Sequence, residues 1–233
     1  MKVRRLLAQG MAFVWLSVLP VGLAASDVAE EAKFQPPAAV SVSAIPEQPV
    51  SAQHGALVLD VQVSATGEVA DIAVRRDLPP LTKEVIRAVK TWKFAPAKLE
   101  GKCVASRITV AVNFNPPSAS SADVPLHPLL PQEDETRVNS SFQPAEVTFA
   151  KMPAFVYGAF GPGTVVVAVT VNEKGKVQST KVLRDAPPFT GHAVEAAADW
   201  KFVPATLEGK PLQSTVIIAF VFRIFNWPPA VPY

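Results

Sequence analysis

The chain has one cysteine, three histidines and almost no excess charge, and each shortage excludes a class of protein. Because Cys103 is the only cysteine among 233 residues, one chain cannot build an internal disulfide framework or a cysteine-based zinc site. The 22 basic and 20 acidic residues give a formal charge of +2, too small for a strongly basic nucleic-acid-binding protein. Hydrophobic residues make up 49% of the chain, so it can bury a core and is not a disordered tail.

The sequence also lacks the motifs that organise common active sites. No two of the histidines His54, His127 and His192 are four residues apart, so no helical metal-binding pair exists. Neither a Gly-x-Ser-x-Gly turn nor a phosphate-binding loop is present. We therefore expect a protein that is not an enzyme and that needs no cofactor and no metal ion.

The N-terminus has the pattern of a targeting segment. Residues 6–25 carry no charge, follow Lys2, Arg4 and Arg5, and end in small residues. This order is typical of a secretory signal peptide, with cleavage predicted near Ala24 or Ala25. The alternative is an uncleaved membrane anchor, since the apolar run is close to the length of a spanning helix. Under both interpretations the rest of the chain is exported.

The body of the chain is an internal duplication. A shift of 108 residues aligns residues 55–115 with residues 163–223 without a gap, and 25 of the 61 aligned positions are identical. Such self-similarity predicts two copies of one structural unit.

Each copy predicts two strands, a helix and a final strand. In the first copy, apolar residues alternate from Leu57 to Val63, which indicates a strand with one buried face. Gly67 is predicted in a hairpin that needs a positive φ, and apolar residues from Leu81 to Trp92 recur at helical spacing. The predicted fold class is α+β, with two tandem modules. Each module is expected to be a three-stranded antiparallel sheet with a helix packed across it, in the order β-β-α-β.

Composition sets the predicted boundaries between the segments. The modules have periodic apolar patterns, whereas the connecting stretches are rich in proline, serine and acidic residues. We place a signal peptide or anchor at 1–25, a linker at 26–45, module 1 at 46–117, an acidic linker at 118–145, module 2 at 146–225 and a tail at 226–233.

The most repetitive block of the first copy contains Trp92-Lys93-Phe94 and Pro96-Ala97, and it recurs in the second copy as Trp200-Lys201-Phe202 and Pro204-Ala205. This block resembles the TonB C-terminal domain family, that is, energy transducers of the TonB type. The family-motif residues are Trp92, Phe94, Pro96, Trp200, Phe202 and Pro204. The resemblance implies a periplasmic module whose sheet gains a strand from an extended peptide of an outer-membrane receptor. Such strand addition takes its affinity from main-chain hydrogen bonds.

One strand is the predicted partner-binding site. Residues 216–222 are apolar on both faces, whereas the matching strand of module 1 alternates with Thr109 and Asn113. A strand with two apolar faces is typical of burial on both sides, so module 1, the tail or another chain is expected to cover it. The alternative is an apolar face that stays exposed. The predicted edge strand comprises Val216, Ile217, Ile218, Ala219, Phe220, Val221 and Phe222.

Several other residues recur in both copies and have two interpretations each. Asp77 and Asp185 precede paired prolines, where a loop-fixing hydrogen bond or ion pair is favoured over a catalytic carboxylate. The tryptophans are expected in the core rather than as ligand platforms. The lysines Lys93, Lys102, Lys201 and Lys210 are expected to be solvated, with contacts to an anionic partner such as peptidoglycan as the alternative.

The function predicted from these features is that of a non-catalytic, periplasmic, TonB-like binding or adaptor protein. Its expected partner is an outer-membrane receptor peptide or another envelope protein, and no nucleic acid. One alternative is an energy transducer anchored in the inner membrane by residues 6–25, its only expected contact with a membrane. Another is a structural or assembly protein of the envelope, with self-association of the modules.

Overall fold

The computed structural model describes residues 34–46, 54–115, 124–125, 141–154, 156 and 161–223. The predicted signal peptide or anchor, most of the acidic linker and the tail lie outside these residues. Within the described part of the chain, no helix is long and apolar enough to cross a membrane.

In its described residues, module 1 has eight strands and one helix. In chain order they are β1 (Phe34–Gln35), β2 (Ala38–Ser41), β3 (Gly55–Val63), β4 (Val69–Arg76), α1 (Thr82–Val89), β5 (Lys93–Ala95), β6 (Ala97–Leu99), β7 (Lys102–Val104) and β8 (Ser106–Phe114).

Module 2 repeats this order and adds one short strand at its start. Its elements are β9 (Val124–Pro125), β10 (Phe142–Gln143), β11 (Glu146–Ala150), β12 (Gly163–Val171), β13 (Val177–Arg184), α2 (Thr190–Ala198), β14 (Lys201–Val203), β15 (Ala205–Leu207), β16 (Lys210–Leu212) and β17 (Ser214–Phe222).

The long strands of the two modules form one continuous six-stranded sheet. Its strand order is β13-β12-β17-β8-β3-β4. Within each module the neighbouring strands are antiparallel, but β17 and β8 pair in parallel, from Ile217 beside Val110 to Val221 beside Phe114. The last strand of each module therefore lies at the centre of the shared sheet.

The two modules present opposite faces of this sheet to their helices. Val110 has Ile218 as its counterpart in module 2, yet it pairs with Ile217, so the register is offset by one residue. Because successive side chains of a strand point to opposite faces, this offset places equivalent residues on opposite sides. As a result α1 covers one face of the sheet and α2 covers the other.

Two hydrophobic cores result, and each takes residues from both modules. The α1-side core contains Val85 and Val89 of the helix together with Val166, Ile217 and Val221 of module 2. The α2-side core is built around α2 and also contains residues of module 1, namely Ala56, Val58 and Ala111. The modules thus share cores as well as a sheet.

Local sequence explains how each module turns from its second strand into its helix. The Asp77 carboxylate accepts a hydrogen bond from the Thr82 hydroxyl, whose oxygen accepts one from the amide of Leu78 at 3.0 Å. Asp185 and Thr190 repeat the arrangement in module 2. The predicted loop-fixing role of both aspartates is confirmed. The proline pairs that follow, Pro79-Pro80 and Pro187-Pro188, are joined by cis peptide bonds.

The hairpin glycines allow a close approach as well as a turn. Gly67 has a φ of +85°, as predicted, and an added Cβ would lie 2.0 Å from the carbonyl oxygen of Phe94. The amide of Phe94 in turn donates to the carbonyl of Gly67 at 2.9 Å. Gly175 and Phe202 make the same contact in module 2. The hairpin is thereby fixed to the short strand after each helix.

The structure confirms the α+β class and the two similar modules, and it corrects the predicted module topology. Three short strands stand between each helix and the last strand, so β-β-α-β is not the full order. The two three-stranded sheets are also not separate, because β8 and β17 join them.

Short arms ahead of each module belong to the fold as well. The sequence analysis placed residues 26–45 and 118–145 in linkers, yet β1 pairs with β6, β2 with β5, and β10 with β15. The described strands therefore assign Phe34–Gln35, Ala38–Ser41 and Phe142–Gln143 to the modules. Backbone pairing, which composition does not report, explains the difference.

Candidate functional site

The predicted partner-binding strand is not an edge of the sheet. Residues 216–222 lie within β17, which pairs with β12 on one side and with β8 on the other. The prediction of an open edge at Val216, Ile217, Ile218, Ala219, Phe220, Val221 and Phe222 is therefore wrong. Its main-chain groups face neighbouring strands on both sides, so an added peptide has no edge to pair with there.

The apolar character of both faces of this strand has a clear cause. Val216, Ile218, Phe220 and Phe222 lie in the α2-side core. Ile217, Ala219 and Val221 lie in the α1-side core, beside strands of module 1. Of the covers considered from the sequence, module 1 is the one found here.

Separating the modules to expose β17 would be costly. Val166, Ile217 and Val221 are each at most 1% exposed, and all three contribute to the α1-side core. Exposing three such side chains costs roughly 5–9 kcal/mol. A micromolar complex has a binding free energy of about 8 kcal/mol. Opening the sheet would therefore cancel most of the binding free energy of such a peptide.

The open edges of the sheet are at its two ends. Among the described residues, no strand pairs with the outer side of β4 or of β13. Each strand has eight residues and is equivalent to the other in the duplication. Both have register shifts near their ends, which leaves residues 71–74 and 179–182 as their regular central stretches.

The charges along these two edges differ sharply. Residues 66–76, at the β4 edge, carry Glu68, Asp71, Arg75 and Arg76, a balance of zero. Residues 174–184, at the β13 edge, carry Lys174, Lys176, Lys181 and Arg184 and no acidic residue. All four of these cationic residues are exposed. The duplication has therefore given one neutral edge and one basic edge.

An isolated β-bridge beside each hairpin shows the same difference in charge between the modules. In module 1, Glu68 is bridged to Lys93 and their side chains form an ion pair of 3.1 Å. In module 2, the equivalent bridge joins Lys176 to Lys201, two cations. The Lys201 ammonium lies 5.4 Å from the centre of the Phe149 ring. The positive surface next to β13 thus continues onto β14.

The family-motif residues have structural positions. Trp92 and Trp200 are each 1% exposed, and Phe94 and Phe202 are buried, so the predicted core role is confirmed. Pro96 and Pro204 lie between two short strands, and their Cδ atoms face the hairpin glycines. Phe94, Phe202 and the two prolines contact the hairpin glycines Gly67 and Gly175, at the ends of β4 and β13.

Both tryptophans also hold the arms, which sequence reasoning missed. The Trp92 indole N–H donates to the Ser43 hydroxyl at 3.1 Å, and the Trp200 N–H donates to the Lys151 carbonyl at 3.0 Å. Ser43 and Lys151 are themselves 108 residues apart. The signal was present in the sequence, because Phe34-Gln35-Pro36 and Phe142-Gln143-Pro144 repeat at the same spacing.

The remaining candidate residues form no reactive cluster. Cys103 is exposed on β7, opposite Lys98, and His192 is half-buried on α2. In the part of the chain that the structure describes, no group of three histidine, cysteine, aspartate or glutamate residues could hold a metal ion. Lys93, Lys102, Lys201 and Lys210 are all exposed.

A comparison with protein families decides the relationship that the motif residues suggested. The family model described as the C-terminal domain of the Gram-negative bacterial TonB protein matches residues 46–116 and 162–224, which together make up more than half of the chain. The chain belongs to the TonB C-terminal domain family. It contains two tandem copies of the domain, as predicted.

Membership sets the general role of this TonB-family chain. The family comprises non-enzymatic domains of envelope proteins that interact with outer-membrane receptors and other envelope components. A comparison with curated proteins gave no match. In this TonB-family protein, the last strands of the two domain copies are paired with each other, and its open edges are β4 and β13.

Proposed function

We propose that this protein is a non-catalytic periplasmic adaptor that binds an extended peptide of an outer-membrane or other envelope partner by strand addition. The observation that carries the proposal is the six-stranded sheet with an open edge at each end. An extended peptide gains affinity at such an edge from main-chain hydrogen bonds and specificity from alternate side chains.

The edges used are the outer ones, β4 and β13, rather than the central strand predicted from the sequence. Hydrogen bonds and shared cores already occupy both sides of β17. Peptide addition at β4 or β13 leaves these contacts intact, so the whole free energy of pairing contributes to binding.

The rigid connection between the two edges suits an adaptor. Both edges belong to one hydrogen-bonded sheet, and the described inter-module hydrogen bonds add to it. Thr109 donates to the Ala145 carbonyl at 2.6 Å, and Thr164 donates to the Ile45 carbonyl at 3.2 Å. Two partners held on the two edges would therefore keep a fixed separation.

Cross-linking from defined positions tests this proposal. A photo-cross-linking amino acid replaces Ala73 on β4 or Thr180 on β13, and the control replaces Glu195 on the exposed surface of α2. We expect adducts with envelope proteins from the edge positions and none from the control. Absence of adducts from both edges, or equal adducts from Glu195, would contradict strand addition.

Periplasmic localisation is proposed from family membership together with the N-terminal sequence pattern. N-terminal sequencing of the exported protein distinguishes the free adaptor from an anchored transducer. A mature chain that begins near Ala25 or Ser26 supports the adaptor, whereas an intact N-terminus in the membrane fraction supports the transducer.

A further inference from the structure

The two outer edges of the sheet are equivalent in backbone but opposite in the chemistry they offer a partner. We propose that the β13 edge is a docking site for an acidic extended peptide, and that the β4 edge does not share this preference. The inference rests on the proposed strand addition, and it adds which edge is used and the chemical class of the partner.

The first argument is the charge at the centre of each edge. The regular stretch of β4 begins at Asp71, whereas the equivalent position of β13 is Ser179. The stretch of β13 contains Lys181, whose counterpart on β4 is Ala73. A peptide paired along β13 would therefore have a cation next to its middle, where a carboxylate forms the most favourable cross-strand pair.

The second argument is the extension of positive charge beyond the strand. Lys174 and Lys176 lie at the hairpin end of β13, Arg184 lies at its other end, and all are exposed. The ion pairs found among the described residues include none of these side chains. At the equivalent position of module 1, the negative charge of Glu68 compensates the positive charge of Lys93. A peptide with several carboxylates would meet cations at both ends of β13 as well as at Lys181.

The third argument is an apolar contact within the basic edge. Val182 is 39% exposed and lies between Lys181 and Arg184 on the strand. Alternate side chains of an added strand face opposite sides of the sheet. A peptide that alternates acidic and β-branched residues would thus place its carboxylates near Lys181 and its β-branched side chains near Val182.

The same cations also explain what the β13 edge rejects. Lysine on an edge strand disfavours pairing with uncharged or basic strands. These include the β13 edge of a second copy of this chain. An acidic peptide removes this repulsion and gains attraction, so the edge discriminates by both effects. An anionic polymer or lipid surface would use the charge but would not need the open main-chain groups.

The experiment uses the mature full-length protein and synthetic peptides of eight residues, the length of β13. The probe alternates glutamate and threonine. One control peptide has glutamine for glutamate, and a second keeps glutamate but is N-methylated at alternate amides. We expect the unmodified glutamate peptide to bind at least about tenfold more tightly than either control, with an affinity that falls as salt rises.

Protein variants locate the site. Lys181→Glu combined with Arg184→Glu reverses the charge at two exposed positions of β13 and brings residues 174–184 to a balance of zero. Arg75→Glu combined with Arg76→Glu is the pair of matched charge change on β4. The first pair should weaken binding at least about tenfold, and the second should change it less than about threefold. A photoreactive probe should attach to residues 177–184.

Three outcomes would overturn the inference, and they differ from failure of the proposed function. Equal binding of the N-methylated peptide would show attraction by charge alone. Binding of peptidoglycan or anionic vesicles that competes with the peptide at Lys181 would assign the surface to a polymer or a membrane. Equal binding of the glutamine peptide, with attachment to residues 69–76, would retain strand addition but move it to β4. Strand addition itself is tested separately, by the cross-linking from Ala73 and Thr180 with Glu195 as the control.

Discussion

Asn113 and Val221 occupy equivalent positions in the two domain copies, yet they lie on opposite faces of the same sheet. Val221 packs in the α1-side core, and Asn113 pairs with Ala56 and Phe220, which belong to the α2-side core. Asn113 is fully buried, and neither polar atom of its side chain has a hydrogen-bond partner among the described residues. Each position can therefore be given the residue of the other copy, valine at 113 or asparagine at 221, and the two changes should have opposite effects on stability.

Replacing Asn113 with the residue of the other copy should stabilise the protein. Asn113→Val removes two buried polar atoms that lack partners and keeps a side chain of similar size. We expect the free energy of unfolding to rise by about 1–2 kcal/mol. Urea denaturation followed by circular dichroism measures this change. A loss of stability would show that the amide makes an interaction the structure does not contain.

The reverse exchange should destabilise it. Val221→Asn places an amide beside Phe114, in the α1-side core that also contains Val112 and Ala219. Since a buried amide without a partner is unfavourable, we expect a loss of about 2–4 kcal/mol in the same urea experiment. If both exchanges had effects of the same sign, the two faces would not differ as the structure describes.

The sequence predicted which faces of the strands are buried better than it predicted which edges are open. Apolar residues at Ile217, Ala219 and Val221 indicated a cover on the second face of β17, and the structure confirms one. Side chains point out of the plane of a sheet, so their pattern reports on the faces. Hydrogen bonds between strands lie within that plane and involve backbone groups that every residue has. No pattern in β8 or β17 therefore indicated their parallel pairing.

The candidate site was missed for a related reason. Lys174, Lys176, Lys181 and Arg184 have the composition of an ordinary solvated hairpin, and the net charge of the chain conceals them. Only the position of β13 at the end of the sheet gives these residues a shared edge. Comparison of the two copies would have shown that module 2 alone concentrates cations there.

The backbone of Phe94 lies so close to Gly67 that this glycine should be more sensitive to substitution than other glycines with positive φ. Gly67→Ala would place a Cβ 2.0 Å from the Phe94 carbonyl oxygen, whereas Gly101, with a φ of +79°, has no atom within 4 Å of the added Cβ. We expect Gly101→Ala to cost about 1–2 kcal/mol, the price of the backbone conformation. Gly67→Ala should cost at least about 2 kcal/mol more in thermal or urea unfolding. Equal losses would show that the hairpin can move away from β5.

The hydrogen bond from Trp92 to Ser43 should hold the arm of module 1 in place. Ser43→Ala removes the acceptor of the indole N–H and should cost about 1 kcal/mol. Hydrogen–deuterium exchange should accelerate in Ala38–Ser41, which pairs with β5. Exchange in Glu146–Ala150 serves as the internal control, because the arm of module 2 is held through the Lys151 carbonyl. Faster exchange in both arms would indicate general destabilisation instead.

Shared cores should make the two modules unfold together. Leu59→Ala, at a fully buried position of the α1-side core, should cost about 2–5 kcal/mol. We expect the exchange free energies of slow amides to fall by similar amounts in Gly55–Val63 and in Gly163–Val171. An unchanged value in the second strand would show that module 2 folds independently of module 1.

The parallel pairing of β8 with β17 has a consequence for assembly. Two separate domains joined in this way would dissociate on dilution, and the number of complete sheets would follow their expression level. Because one chain carries both copies, each meets its partner at an effective concentration of the order of millimolar. The six-stranded sheet therefore forms at any abundance of the protein, with one neutral edge and one basic edge in every molecule.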